Sequence, residues 1–129
     1  MGTLGRRALT AVLFLPAILF TVMGLRWLVD PAGIAPDLGL TLEQGLGLSS
    51  QVGDLAAFFL VAGISLLIAL VTKQRSWFYP TAMLLGFAAL GRTVAWVAHD
   101  AALAPHILFE VIVALLILAG AKFLPESSS

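Results

Sequence analysis

Two uncharged runs, residues 8–25 and 55–72, constrain the fold of this chain more than any other feature of its sequence. A helix of about 20 apolar residues crosses the ~30 Å hydrocarbon layer of a bilayer, so each run predicts a transmembrane helix. Hydrophobic residues make up 60% of the chain and charged residues 11%, far from the composition of soluble globular proteins. Two further apolar stretches follow, and we expect spans at residues 8–29, 53–72, 77–98 and 103–124.

These spans occupy most of the 129 residues and leave room for one small domain. We predict an all-α fold, an integral membrane four-helix bundle over residues 1–129 with a disordered tail at 125–129. The small pairs Ala82/Gly86 and Gly91/Ala95 predict that the third span packs closely on a neighbour. The chain has no cysteine, which excludes disulfides and thiolate metal sites, and its net charge of zero argues against a nucleic-acid partner.

The basic residues set the expected orientation of the spans. The acidic loop at 30–51 contains no Lys or Arg. Because cytoplasmic loops are enriched in Lys and Arg, the basic side is expected to be cytoplasmic, with both termini inside. Five of the seven basic residues fall on that side: Arg6, Arg7, Lys73, Arg75 and Lys122.

Arg92 and Glu110 are opposite charges inside the third and fourth predicted spans. Charge at membrane depth is costly, and it usually faces a partner, a water-filled cavity or a ligand. Counted from the outer helix ends at helical rise, Arg92 lies about 9 Å deep and Glu110 about 10 Å deep. Sequential helices joined by a short loop are antiparallel neighbours, so a salt bridge is expected. The sequence leaves open whether this pair is a structural tie, a ligand site or both.

Further polar and aromatic residues are expected near the same, outer end of the bundle. Trp96 and His99 share the helical face of Arg92, and His106 shares the face of Glu110. Arg26 is expected to snorkel to the interface or to pair with Asp30. The candidate ligand-binding residues are therefore Arg92, Glu110, His106, Trp96, His99, Asp54 and Arg26.

Asp54 has a simpler interpretation than ligand binding. With Ser49 or Ser50 as the N-cap, it would lie in the first turns of the second span, where negative charge suits the helix dipole. Trp27, Trp77 and Trp96 lie toward the interfaces, where aromatic side chains commonly anchor a membrane protein.

No compact catalytic or metal-binding motif accompanies these residues. His99, Asp100, His106 and Glu110 are metal-ligand types, but no tight pair of histidines is present, so we expect no metal site. The sequence identifies no cofactor. Glu110 beside His106 could perform acid–base chemistry on a lipid-like substrate, and whether the chain is an enzyme stays open.

Gly91-Arg92, Asp100 eight residues after the arginine, and Glu110 in the last apolar helix together resemble a bacterial family of small four-helix membrane proteins of unknown function. The stretch Asp30-Pro31-Ala32-Gly33 also resembles its pattern, whereas Asp54 stands where a small residue is expected. That family is similar in layout to DoxX-like membrane proteins, some of which are linked to quinone-coupled oxidation. The resemblance covers nearly the whole chain. It implies the four-helix fold and a location in the bacterial inner membrane, and it makes a quinone or lipid a hypothesis for the ligand.

Three functions are open at this stage. The first is binding of a small amphipathic or lipid-like ligand in a polar pocket of the outer half, with Arg92 on its anionic or carbonyl group and Trp96 on its apolar part. The second is an accessory structural subunit of a larger membrane complex. The third is an enzyme acting on a lipid or quinone, with Glu110 as acid or base. A pocket of several hundred cubic ångströms around Arg92 favours the first or third, and a closed bridge without a cavity favours the second.

Overall fold

The computed structural model describes residues 1–125, and within them every regular element is helical. The last residues of the tail predicted to be disordered, 126–129, lie outside the described residues. The long helices are α1 (Thr3–Val29), α3 (Gly45–Thr72), α4 (Phe78–Ala98) and α5 (His106–Phe123), and a short helix, α2 (Pro31–Ile34), follows α1. Single 3₁₀ turns are formed by Ala35–Leu38 and Arg75–Trp77.

The four long helices form an up-and-down bundle. α1 packs mainly on α3 and α4 mainly on α5, while weaker contacts of α3 with α4 and of α1 with α5 close the ring. Each long helix is therefore a neighbour of the next, as short connections require. All four helices are long and apolar enough to cross a membrane, which confirms the predicted all-α class and the four apolar helices.

Apolar side chains cover the outside of the bundle as well as its core. Leu13, Trp27 and Ile117 are fully buried, yet Leu15 and Leu108 are about 70% exposed on the outward faces of α1 and α5. Helices that are apolar all round belong in the core of a large protein or in a membrane. In a chain of this size the outward faces fit contact with lipid, and the four apolar helices suggest a multi-pass membrane protein.

Glycines bring α1 and α3 close together. A Cβ added at Gly63 would overlap the Thr21 side chain and the carbonyl oxygen of Ala17, and one added at Gly24 would overlap Leu60. Small residues allow such backbone approach in membrane helices, where dispersion contacts carry much of the association. The closest described helix contact through glycine is therefore between the first and second spans.

The third span packs closely on the fourth, as predicted, and Ala82 of the first small pair is buried, but the glycines of the two pairs do not make this contact. Gly86 and Gly91 are exposed on α4, and an added Cβ at either position would have open space around it. α4 instead turns larger side chains such as Phe78 and Leu85 into the bundle. A spacing of four shows that two small residues share a face, but not which face meets a neighbour.

The helix that contains the second predicted span begins before residue 53. α3 starts at Gly45, and its N-cap is Gln44, so Ser49 and Ser50 lie inside the helix. Asp54 is consequently in the third turn and exposed, so the prediction that it occupies the first turns is wrong.

Gln51 explains why α3 extends back through two glycines. Its Nε2 donates a hydrogen bond to the Thr41 carbonyl oxygen (3.0 Å), and its Oε1 accepts one from the Glu43 amide (2.9 Å). These bonds hold the incoming chain against the second turn of the helix. The contact therefore offsets the poor helix propensity of Gly47, whereas Gly45, at φ 58°, adopts the left-handed backbone that glycine favours.

Candidate functional site

The Arg92–Glu110 ion pair predicted from the sequence is present. Arg92 Nε donates to Glu110 Oε1 at 2.7 Å, joining α4 to α5. The Glu110 side chain is 7% exposed and that of Arg92 38% exposed. The Glu110 carboxylate is thus held inside the bundle, whereas the Arg92 side chain extends from the interior to the surface of the bundle.

A cavity of about 240 Å³ lies against this pair. Arg92, Glu110 and His106 supply three of its polar side chains, and Asp37 supplies a fourth. The rest of its lining is apolar and largely aromatic. Four phenylalanines contribute to it: Phe20, Phe58, Phe59 and Phe109.

The phenylalanines form one packed cluster. Phe20 stacks on Phe59 with ring centroids 6.1 Å apart, and Phe109 meets Phe20 edge-on at 6.4 Å. Phe58 also lies edge-on to Phe59, at 5.1 Å. Offset and edge-to-face ring pairs of this kind are energetically favourable, so the cluster forms a well-packed aromatic side of the cavity.

Arg92 also borders a second cavity, of about 400 Å³. This cavity shares Leu38, Phe58 and Phe59 with the first and extends along α4 past Gly91. The missing side chain of Gly91 leaves open space there. Arg92 therefore stands between two adjoining cavities rather than at the end of one.

His106 carries a buried polar atom that no protein group satisfies. Its Nδ1 is buried and has no hydrogen-bond partner in the described part of the chain. An unsatisfied buried polar group costs about 1–3 kcal/mol. An imidazole nitrogen in either tautomer can bond to a water or a ligand, as acceptor or as donor.

Arg26 is linked to the cavity through an ion pair with Asp37, a partner that the sequence did not predict. Its Nη1 contacts Asp37 Oδ2 at 3.1 Å, so the predicted pairing with Asp30 is wrong. Asp30 instead accepts a hydrogen bond from the Gly33 amide and caps α2. The chain from α2 to the following 3₁₀ turn folds back over the bundle and carries Asp37 to the cavity.

The other candidates lie outside the cavity lining. Trp96, His99 and Asp54 are exposed and contribute to neither cavity beside Arg92. His99 follows the last residue of α4 as its C-cap. Of the seven candidate residues, the structure thus brings together Arg92, Glu110 and His106. Arg26 lies outside the cavity lining but is paired with Asp37, which is part of it.

Asp37 and the phenylalanine cluster were not among the residues singled out from the sequence. Asp37 is one of several carboxylates in an acidic loop, and nothing in that loop shows which of them folds back to Arg26. Phe20 and Phe109 stand in apolar runs that look no different from the run around Phe87, which is 66% exposed. Only the helix packing separates a cavity-lining phenylalanine from an outward-facing one.

No group of three or more His, Asp or Glu side chains within residues 1–125 is placed to hold a metal ion. In comparisons with protein-family models, curated protein sequences and solved structures, nothing matches this chain. The DoxX-like resemblance therefore stays a prediction.

Proposed function

We propose that this protein binds a small amphipathic ligand in the cavity beside Arg92, within the inner membrane of a bacterium. One observation carries the proposal: Arg92, Glu110 and the unsatisfied His106 meet in a cavity that is otherwise apolar. Ligand pockets are mostly apolar with a few placed polar groups and span ~300–1,000 Å³. The two adjoining cavities at Arg92 provide space of that order.

The site chemistry defines the ligand class. The bond to Glu110 uses Nε of Arg92, which leaves the terminal guanidinium nitrogens as donors for an anionic or carbonyl oxygen. His106 Nδ1 offers a second hydrogen bond. The rings of Phe20, Phe59 and Phe109 suit a flat apolar body. A quinone or a related lipid with a carbonyl-bearing head fits this arrangement, and it is also the ligand class that the predicted resemblance to DoxX-like proteins raises.

The bundle is proposed to lie with both termini in the cytoplasm. Arg6 donates to the Leu124 carbonyl and Arg75 to the Ala121 carbonyl, and Lys122 lies beside Arg75, so basic residues from three segments gather at one end. That gathering supports the basic-inside orientation. The chain has no cysteine, so single cysteines at Ser76 and Ala102 can be labelled in intact cells with a membrane-impermeant maleimide. Labelling at residue 102 but not at 76 is expected, and the reverse would contradict this orientation.

A structural role is the second candidate. The Arg92–Glu110 bond is closed at 2.7 Å with the acid buried, as in a tie between α4 and α5 within a larger membrane complex. Catalysis on a lipid or quinone is the third, and it requires turnover that Glu110→Gln abolishes without loss of folding.

The test is to extract the protein directly from its membrane into nanodiscs and to identify co-purifying small molecules by mass spectrometry. Wild type is compared with Arg92→Ala and His106→Phe, and Trp96→Phe serves as the control because Trp96 lies outside the cavity lining. We expect one molecule to be enriched with wild type and Trp96→Phe and lost from the two folded cavity variants. The absence of any specific molecule, with normal pull-down of partner subunits, would favour the structural role.

A further inference from the structure

A separate cleft lies at the opposite end of the bundle from the candidate ligand site. Its volume is about 610 Å³, and it runs between the beginning of α1 and the end of α3. Arg6, Arg7 and Lys73 line it together with the hydroxyl-bearing Thr3 and Thr10. No carboxylate of residues 1–125 is part of its lining.

One end of this cleft is basic and polar, and the other end is apolar. The basic residues and threonines lie at the end of the bundle, whereas Ala11 and Phe14 continue the lining along α1 toward the middle of the span. Beyond them the outward face of α1 is apolar, with Leu15 70% and Ile18 53% exposed. The cleft therefore places positive charge at headgroup depth directly above a surface suited to acyl chains.

Arg6 is fixed in place rather than free to turn away. It donates from Nη2 to the Leu124 carbonyl oxygen at 3.0 Å, and the Thr10 hydroxyl donates to the Arg6 carbonyl oxygen at 2.8 Å. The first bond ties the start of α1 to the end of α5. One wall of the basic cleft is thus held by the bundle itself.

Lys73 occupies a backbone position that favours glycine. It ends α3 as the C-cap with φ 59°, in the left-handed region, where a Cβ is unfavourable. Glycine would make this cap with less strain. A lysine at the helix C-terminus gains from the dipole, and here it also adds the third positive charge to the cleft.

From these features we infer that the basic cleft binds the headgroup of an anionic phospholipid. Arg6, Arg7 and Lys73 would surround the phosphate, the Thr3 hydroxyl would donate to one of its oxygens, and the acyl chains would lie along α1. The inference concerns the end of the bundle away from Arg92 and does not depend on the proposed function there.

The test uses native mass spectrometry of the full-length protein titrated with dioleoyl phosphatidylglycerol, with dioleoyl phosphatidylcholine and with inorganic phosphate in parallel. Wild type is expected to bind phosphatidylglycerol in preference to phosphatidylcholine. Lys73→Asn removes the charge but tolerates the left-handed backbone, and it should weaken that binding about fivefold, the effect of one basic residue near a charged surface. Lys73→Arg should retain the binding.

Lys122→Gln is the matched control, because it removes one positive charge from the same end of the bundle but lies outside this cleft. It should bind phosphatidylglycerol as wild type does. Equal weakening by Lys73→Asn and Lys122→Gln would overturn the inference in favour of diffuse charge attraction. Equal binding of the two lipids, or saturation by inorganic phosphate alone, would also overturn it. Lys73→Gly gives a further check, since it should weaken phosphatidylglycerol binding as much as Lys73→Asn does, without any fall in thermal stability.

Discussion

Replacement of Arg92 by methionine is expected to leave the Glu110 carboxyl buried without its partner. Coulomb's law with an effective dielectric constant of about 20 gives a gross attraction of about 6 kcal/mol for unit charges at 2.7 Å. The Arg92 side chain is 38% exposed, so screening and desolvation offset part of this value. Removal of one partner from a buried pair costs about 3 kcal/mol or more, and we expect a loss of about 3 kcal/mol in the free energy of unfolding.

The reverse replacement, Glu110→Met, should cost less, about 1 kcal/mol, because a half-exposed guanidinium can reorient toward water or headgroups. The double variant removes both charges and should lie within about 1 kcal/mol of wild type. The free energies of unfolding of wild type, the two single variants and the double variant can be measured by reversible unfolding in mixed micelles. The fraction of dodecyl sulfate is increased and unfolding is followed by far-ultraviolet circular dichroism. Additive losses in the double variant, to within about 0.5 kcal/mol, would refute the coupling of these two residues.

Four further substitutions test the packing and the outer loop. Gly63→Ala should lose about 1–3 kcal/mol in the same unfolding assay because its Cβ overlaps α1, whereas Gly86→Ala, in open space, should be neutral or stabilising by up to about 1 kcal/mol. Arg26→Ala should change stability by less than about 1 kcal/mol, since its bond to Asp37 is largely exposed; a larger loss would show that the pair holds the loop in place. Gln51→Leu should speed amide hydrogen exchange in residues 41–44, measured by mass spectrometry, and unchanged exchange would contradict the proposed anchoring of that loop.

Much of the fold was accessible from the sequence because the constraint is strong and local. A run of about 20 apolar residues has few alternatives to a membrane helix, since every backbone polar group must be satisfied within the segment. The Arg92–Glu110 pair followed from depth alone, given helical rise and antiparallel neighbours. Both predictions needed only the spacing of charges along apolar helices.

The rest depended on contacts between segments far apart in the chain. The start of α3 is set by Gln51 bonding back to a loop eight to ten residues earlier. Asp37 reaches Arg26 because the chain after α1 folds into α2 and a 3₁₀ turn. Membrane helices are apolar on every side, so hydropathy does not show that Phe20 faces a cavity.

The central claim, that a ligand occupies the cavity beside Arg92, is tested most directly at His106. The chain has two histidines, so ¹⁵N-histidine labelling yields two imidazole environments, assigned with a His99→Gln variant. Solid-state nuclear magnetic resonance spectra would be compared before and after complete delipidation in detergent and reconstitution into synthetic lipid. We predict that the His106 Nδ1 resonance moves on delipidation while the His99 signals stay in place. Unchanged His106 resonances would contradict ligand binding at this site.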